Sequence, residues 1–154
     1  MNQQDYIQAV DEMKIPASKA LEWANIILEK YYHLYNEPDP QNHQYAREQF
    51  ERVLEACKKL VNTISQIQEK LGSNQIGSVD TLGIFIHGLA GPIIEIRDGA
   101  KIIMMYPYWR PEKEQSEEEQ EHFRYIKKII SAGEYLWSLD RDVVLKRHTE
   151  NLDT

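Results

Sequence analysis

The feature that most constrains the fold of this chain is an internal repeat at a constant offset of 76 residues. Residues 11–67 align with residues 87–143 at this offset without a gap. Because the offset holds across two helical segments and the loop between them, the pattern indicates a duplicated supersecondary unit. The aligned pairs of similar residues include Pro16 with Pro92, Ala24 with Ala100, Ile27 with Ile103, Val53 with Ile129, Ala56 with Ala132 and Leu60 with Leu136.

Each unit contains two segments in which apolar residues recur at three- and four-residue spacing, which predicts amphipathic helices. The predicted helices cover about residues 5–34, 43–71, 79–106 and 117–148. Gly72 is a natural stop for the second helix, and a pair of prolines interrupts the pattern between the two helices of each unit. No segment has the alternation of a strand, so the predicted fold class is all-α.

One hairpin of two amphipathic helices cannot bury both of its apolar faces, whereas two hairpins together form a four-helix bundle with one core. We therefore expect a single bundle over residues 1–154, with repeat one at 1–72 and repeat two at 79–154 facing each other about a pseudo-twofold axis. The alternative is that each hairpin pairs with another chain to give a dimer.

Composition narrows the possible partners and the compartment. The net charge of −7 argues against nucleic acid and anionic membranes as the main partners and favours a protein partner. No apolar run approaches the roughly 20 residues of a membrane-spanning helix. The polar N-terminal residues and a single cysteine, Cys57, fit a cytoplasmic protein, and Cys57 itself lies on the apolar face of the second predicted helix.

The second repeat opens with His-Gly-Leu-Ala-Gly-Pro at 87–92, followed by aliphatic and small residues at helical spacing. This segment resembles the histidine box of sensor histidine kinases, whose dimerisation and histidine-phosphotransfer domain opens with His-Glu-Leu-Arg-Thr-Pro. The first repeat has Asp-Glu-Met-Lys-Ile-Pro at 11–16, which matches the box except that Asp11 replaces the histidine and Glu12 follows it. The resemblance covers most of the chain.

The resemblance implies a kinase-type dimer fused into one chain, a monomeric pseudo-dimer with one of its two histidines lost. His87 is then the candidate phosphoacceptor, and Asp11 with Glu12 is its degenerate equivalent. No glycine-rich nucleotide box occurs in the sequence, so autonomous kinase activity is not expected.

A neutral imidazole can accept a phosphoryl group and pass it on, and a histidine that titrates near pH 6.5 is mostly neutral at pH 7. The Mg²⁺ for this transfer would belong to a receiver-domain partner, so we expect neither a cofactor nor a metal in this chain. Gly88 stands where kinases have an acidic residue, and Gly91 stands where they have Thr or Asn. Pro92 is predicted to kink the helix beside His87.

Three functions remain open from the sequence. The first is a histidine phosphotransferase that relays a phosphoryl group through His87 to or from a receiver domain. The second is a non-catalytic docking or inhibitory module that binds a histidine kinase or response regulator, and the third is a plain helical adaptor. The aromatic group at 106–109 is either packing of a helix-to-loop corner, which we favour, or a docking patch at the tip of the bundle. The remaining histidines are given no role: His33, His43, His122 and His148.

Overall fold

A computed structural model describes residues 3–36, 41, 43–73, 86 and 88–152 of the chain. Every regular element in this part is helical: α1 (Gln3–Lys30), α2 (Gln44–Gly72), α3 (Ala90–Met105) and α4 (Glu117–Leu152). Short 3₁₀ helices at Tyr32–Asn36 and Glu112–Glu114 follow α1 and α3. The prediction of an all-α chain with four principal helices is confirmed.

The helices pack as a four-membered ring, in which α1 and α3 each contact both α2 and α4. Neighbours run antiparallel, as contacts near the two ends of one helix pair demonstrate. The Gln68 side-chain amide of α2 donates to Asp11 Oδ1 near the start of α1 at 3.0 Å, and the Tyr32 hydroxyl just after α1 donates to Glu51 Oε1 at 2.6 Å. The arrangement is that of a four-helix bundle.

The core lies along the axis of the ring and draws on every helix. Leu60 and Ile27 are fully buried, as are Ile96 and Leu136 on the opposite side of the bundle. Burying one such aliphatic side chain contributes about 1.5–3 kcal/mol relative to leaving it exposed. The apolar faces that the sequence pattern predicts therefore account for the shared core.

Local signals at the helix ends explain several boundaries. The backbone N–H and the hydroxyl of Ser73 both hydrogen-bond to the Glu69 carbonyl at 3.1 Å, and this closes α2 after Gly72 as predicted. Ser116 and Glu119 form a reciprocal capping box before α4, because Ser116 Oγ accepts from the Glu119 N–H at 3.1 Å and Glu119 Oε1 accepts from the Ser116 N–H at 3.4 Å.

Candidate functional site

The described residues of the second box are the turn at 88–89 and the first three residues of α3. His87 itself, together with residues 74–85, lies outside the described residues. On either side of it, Ile86 and Leu89 are buried, while Gly88 is exposed. The Leu89 N–H donates to the Ile86 carbonyl at 3.0 Å, so the chain makes a hydrogen-bonded turn across the box.

The backbone here differs from the unbroken helix predicted over 79–106, which is wrong at residues 88–89, because these form a turn and α3 begins only at Ala90. Pro92 therefore falls in the first turn of α3, where the backbone N–H groups have no partner within the helix. The predicted kink presumed a helix that continues from His87 through Pro92, whereas the proline stands near the start of α3. Pro92 is buried, so its ring also joins the core.

Gly91 faces open space in the first turn of α3. A Cβ built on this residue would have no heavy atom within 4 Å, and the residue is exposed. Together with exposed Gly88, it leaves a strip of bare backbone on the surface beside the box. A partner could approach the main chain closely along this strip.

The box of the first repeat lies within α1, which continues through Pro16 without a break. Asp11 is exposed and accepts the hydrogen bond from Gln68, and Glu12 Oε1 accepts from the Gln8 amide at 3.2 Å. Asp11 is thus a solvated surface carboxylate that contacts its hairpin partner.

The described residues of the two boxes lie at the same end of the bundle, in α1 and at the start of α3, which are diagonal to each other in the ring. A Cβ at Gly99 of α3 would meet Val53 of α2 at 2.6 Å, which fixes the register of that pair. Ala90, the first residue of α3, is as far from Gly99 in sequence as Asn62 is from Val53, so Ala90 lies level with Asn62. Asp11 contacts Gln68, which lies further towards the C-terminal end of α2.

Burial in the structure follows the 76-residue offset at many core positions. Pairs of positions related by the offset are often buried in both repeats, although the side chains differ, whereas others are buried in one repeat only, such as Leu54 with half-buried Ile130 and Gly99 with half-buried Trp23. The pairs buried in both repeats include Val10 with Ile86, Met13 with Leu89, Ala20 with Ile96, Ala24 with Ala100, Ile27 with Ile103, Phe50 with Ile126, Val53 with Ile129, Ala56 with Ala132, Leu60 with Leu136 and Ile67 with Val143.

A buried histidine at the opposite end of the bundle is a feature that the sequence reasoning missed. His122 is fully buried near the start of α4, and its Nε2 lies 2.5 Å from the hydroxyl of Tyr35, which is also fully buried. His122 Nδ1 has no hydrogen-bond partner within the described part of the chain. Burial lowers the pKa of His122 from 6.5 to about 3, so the ring is neutral at pH 7.

Trp109, in the loop that follows α3, packs against this histidine, as predicted for the corner. The Trp109 ring meets those of Tyr35 and His122 at centroid distances of 5.4 and 5.5 Å, and its indole N–H donates to the Ile103 carbonyl at 2.7 Å. His43 lies 4.8 Å from the same indole and is also buried. This cluster ties the two loops of the bundle together and is structural.

Other reactive groups are either buried or scattered. Burial raises the pKa of the Cys57 thiol to about 12, so it is an inert core residue, as predicted. Within the described residues, no group of three or more histidine, cysteine or acidic side chains could hold a metal ion. No described helix combines the length and the apolar character needed to cross a membrane.

No family model, curated protein or solved structure matches this chain.

Proposed function

We propose that the protein is a histidine phosphotransferase of two-component signalling, which relays a phosphoryl group between His87 and the aspartate of a receiver-domain partner. The observation that carries the proposal is that the core of the bundle repeats at the same offset as the histidine box. A kinase-type dimer fused into one chain requires this agreement, because each helix of one half must present the same face as its counterpart in the other half. In a bundle of unrelated helices, the buried positions need not repeat at the offset of the box.

The ring of helices supports the same reading. In a fused dimer, each first helix packs against its own second helix and against the second helix of the other half. The contacts of α1 and α3 with both α2 and α4 fit this arrangement. Any bundle whose helices alternate up and down has these neighbours, so the register of the core carries more weight than the order of the helices.

The proposed chemistry requires only the imidazole in this chain. A ring nitrogen of His87 attacks the phosphorus of an aspartyl phosphate, an N–P bond forms, the P–O bond to the aspartate breaks and the carboxylate leaves. The partner supplies the Mg²⁺ and the acyl phosphate. The exposed backbone at Gly88 and Gly91 leaves room for that partner beside the histidine.

The second candidate is a docking or inhibitory module that binds a histidine kinase or a response regulator without phosphoryl transfer. The glycines at 88 and 91 favour it, because they replace the acidic and Thr or Asn positions of the family that the box resembles. Asp11 favours it as well, since a carboxylate cannot form phosphohistidine. In this case the bundle surface alone would bind the kinase or regulator.

Phosphoryl transfer from a set of receiver domains, each phosphorylated with phosphoramidate and Mg²⁺, separates the two candidates. The proposal expects acid-labile, alkali-stable phosphate on the intact chain, and its loss in His87→Gln. His33→Gln is the matched control, because His33 is also a histidine near a helix end and its side chain is about half exposed.

The two candidate functions predict different results in this assay. Binding of a receiver without any phosphate on the chain would support the docking module and contradict the transferase. Label that persists in His87→Gln would contradict the assignment of His87 as the phosphoacceptor.

A further inference from the structure

Two surface grooves of the bundle are related to each other by the 76-residue offset. The first, the basic groove, lies between α1 and α4 and is lined by Pro16, Lys19, Trp23, Lys127, Lys128 and Tyr135, among others. The second, the acidic groove, lies between α2 and α3 and is lined by Glu48, Glu51, Arg52, Glu55 and Glu95. The offset relates Lys19 to Glu95 and Lys127 to Glu51, so the two grooves occupy equivalent places, each between one helix of the first repeat and one helix of the second.

The charges of the two grooves are opposite. The described residues that line the basic groove include three lysines and no carboxylate, whereas four glutamates and one arginine line the acidic groove. The whole chain has a net charge of −7, so the basic groove is a local reversal of the overall charge. Such a reversal attracts a negatively charged partner to one face and repels it from the equivalent face.

The lysines of the basic groove stand beside aromatic rings. Lys128 Nζ lies 5.1 Å from the centroid of Tyr125 and 5.9 Å from that of Trp23, so it makes cation–π contacts. Lys19 Nζ lies 3.4 Å from Glu22 Oε2, an exposed ion pair that a second carboxylate can join or replace.

Apolar surface continues the groove on the side of Pro16. Tyr135 lines it and is 51% exposed, and Ile15, the neighbour of Pro16 in the chain, is 70% exposed. The groove is shallow and open to solvent. It therefore offers an apolar floor with a rim of cations.

We propose that the basic groove binds an acidic amphipathic segment of another protein. Carboxylates of that segment would pair with Lys19, Lys127 and Lys128, and an apolar side chain would pack on Trp23. The acidic groove would repel the same segment, so each chain would hold one. The inference does not depend on His87, because none of the described residues that line the groove belongs to the box at 87–92.

The test uses the intact chain and fluorescein-labelled twelve-residue peptides, with binding followed by anisotropy. The probe carries Glu and Leu at helical spacing, and a control peptide carries Gln at every Glu position. Saturable binding of the Glu peptide that weakens with salt is expected. The double variant Lys127→Glu/Lys128→Glu should lower the affinity by at least about tenfold, or about 1.4 kcal/mol.

The matched control is Lys58→Glu/Lys59→Glu, which reverses two adjacent exposed lysines on α2 and should leave the affinity unchanged. Trp23→Phe should retain binding, and Trp23→Ser should weaken it through loss of the apolar floor. His87→Gln should bind the peptide like the unaltered chain, which separates this proposal from the proposed phosphotransfer. Circular dichroism of each variant checks that the bundle is intact.

Several results would overturn the proposal. One is that the Gln peptide binds as tightly as the Glu peptide. Another is that both double variants lose the same affinity for the Glu peptide. A third is that the Glu peptide does not bind at low salt. Competition by inorganic phosphate at concentrations at which sodium chloride has no effect would identify a simple anion site instead. Light scattering that shows a dimer, lost in Lys127→Glu/Lys128→Glu, would mean that a second copy of the chain occupies the groove.

Discussion

Pro16 and Pro92 are related by the 76-residue offset, yet Pro16 lies inside a helix and Pro92 lies near the start of one. Helix α1 continues through Pro16, whereas α3 starts just before Pro92. A proline inside a helix costs about 3 kcal/mol through the lost hydrogen bond and the ring clash. In the first repeat, good helix formers precede the proline and α1 is 28 residues long. In the second, Gly88 and Gly91 each cost about 1 kcal/mol more than alanine, so a turn replaces the helix.

Positions related by the 76-residue offset can therefore share burial in the core while their backbone conformations differ. Met13 and its counterpart Leu89 are both fully buried, although one lies in a helix and the other in a turn. Burial of the core positions is therefore retained in both repeats, whereas the backbone at residues 88–89 is a turn and that at residues 12–13 is helical. The surface diverges further still, because equivalent grooves have opposite charge.

Substitution of equivalent core leucines should have the greatest effect on stability, and it tests whether the two halves contribute equally to the core. Leu60 and Leu136 are equivalent and both fully buried. Each substitution by alanine should lower the free energy of unfolding by about 2–5 kcal/mol, because it removes buried methyl groups and leaves a cavity. Urea denaturation measures both. A loss below 1 kcal/mol in either variant would contradict a core that the two repeats share.

A smaller effect distinguishes His122 from its counterpart in the first repeat, Ala46, since only the histidine titrates. The folded pKa of His122, about 3, lies below the unfolded value of 6.5, so the unfolded state binds more protons as the pH falls through this window. The neutral His122 ring therefore makes its full contribution to the free energy of unfolding above pH 6.5, and this contribution declines as the pH falls below 6.5. At pH 5 the loss should be about 2 kcal/mol relative to pH 7.

His122→Gln provides the comparison for this pH effect, because glutamine keeps an acceptor for the Tyr35 hydroxyl but does not titrate. Urea denaturation between pH 7 and pH 5 should give a shallower decline for the variant than for the unaltered chain. Protonation of carboxylates changes the free energy of unfolding of both proteins equally, so it cancels in the difference between them. Parallel declines would mean that His122 does not titrate in this range on unfolding.

The smallest expected effect concerns the glycine that leaves the second box bare. Gly91→Ala should raise the free energy of unfolding by about 0.5–1 kcal/mol, because the added methyl group has open space and alanine favours the helix. Gly133→Ala is the matched control in α4. Its Cβ would meet Arg97 Cα at 2.9 Å, so the same substitution should destabilise the bundle. Thermal denaturation that shifts both variants in the same direction would contradict this packing.

Much of the fold could be read from the sequence because helical periodicity and the stop at Gly72 are local signals. The start of α3 could not, since periodicity continues through residues 79–106 although the glycines and Pro92 favour a turn. The capping box at Ser116 and Glu119 was readable from spacing alone. The buried pair of Tyr35 and His122 was not, because the two residues are distant in sequence and meet only when the loops pack.

Candidate site residues fall into the same two groups. The box itself is a local pattern, so Gly88, Gly91, Pro92 and Asp11 could be named in advance, and His87 stays a prediction. The basic groove joins residues from α1 and α4, and the distance between Trp23 and Lys128 follows only from the packing of these helices. Once the offset is known, however, its contrast with the acidic groove can be traced in the sequence.

We propose that the chain contains two equivalent halves with a phosphoacceptor in only one of them. Intact-protein mass spectrometry after brief exposure to phosphoramidate tests it most directly, with the unaltered chain, His87→Gln and His33→Gln compared at the same time points. We expect one phosphoryl group on the unaltered chain and on His33→Gln, and none on His87→Gln. Labelling of His87→Gln at the rate of the unaltered chain, or an unaltered chain that takes up no phosphate, would contradict it.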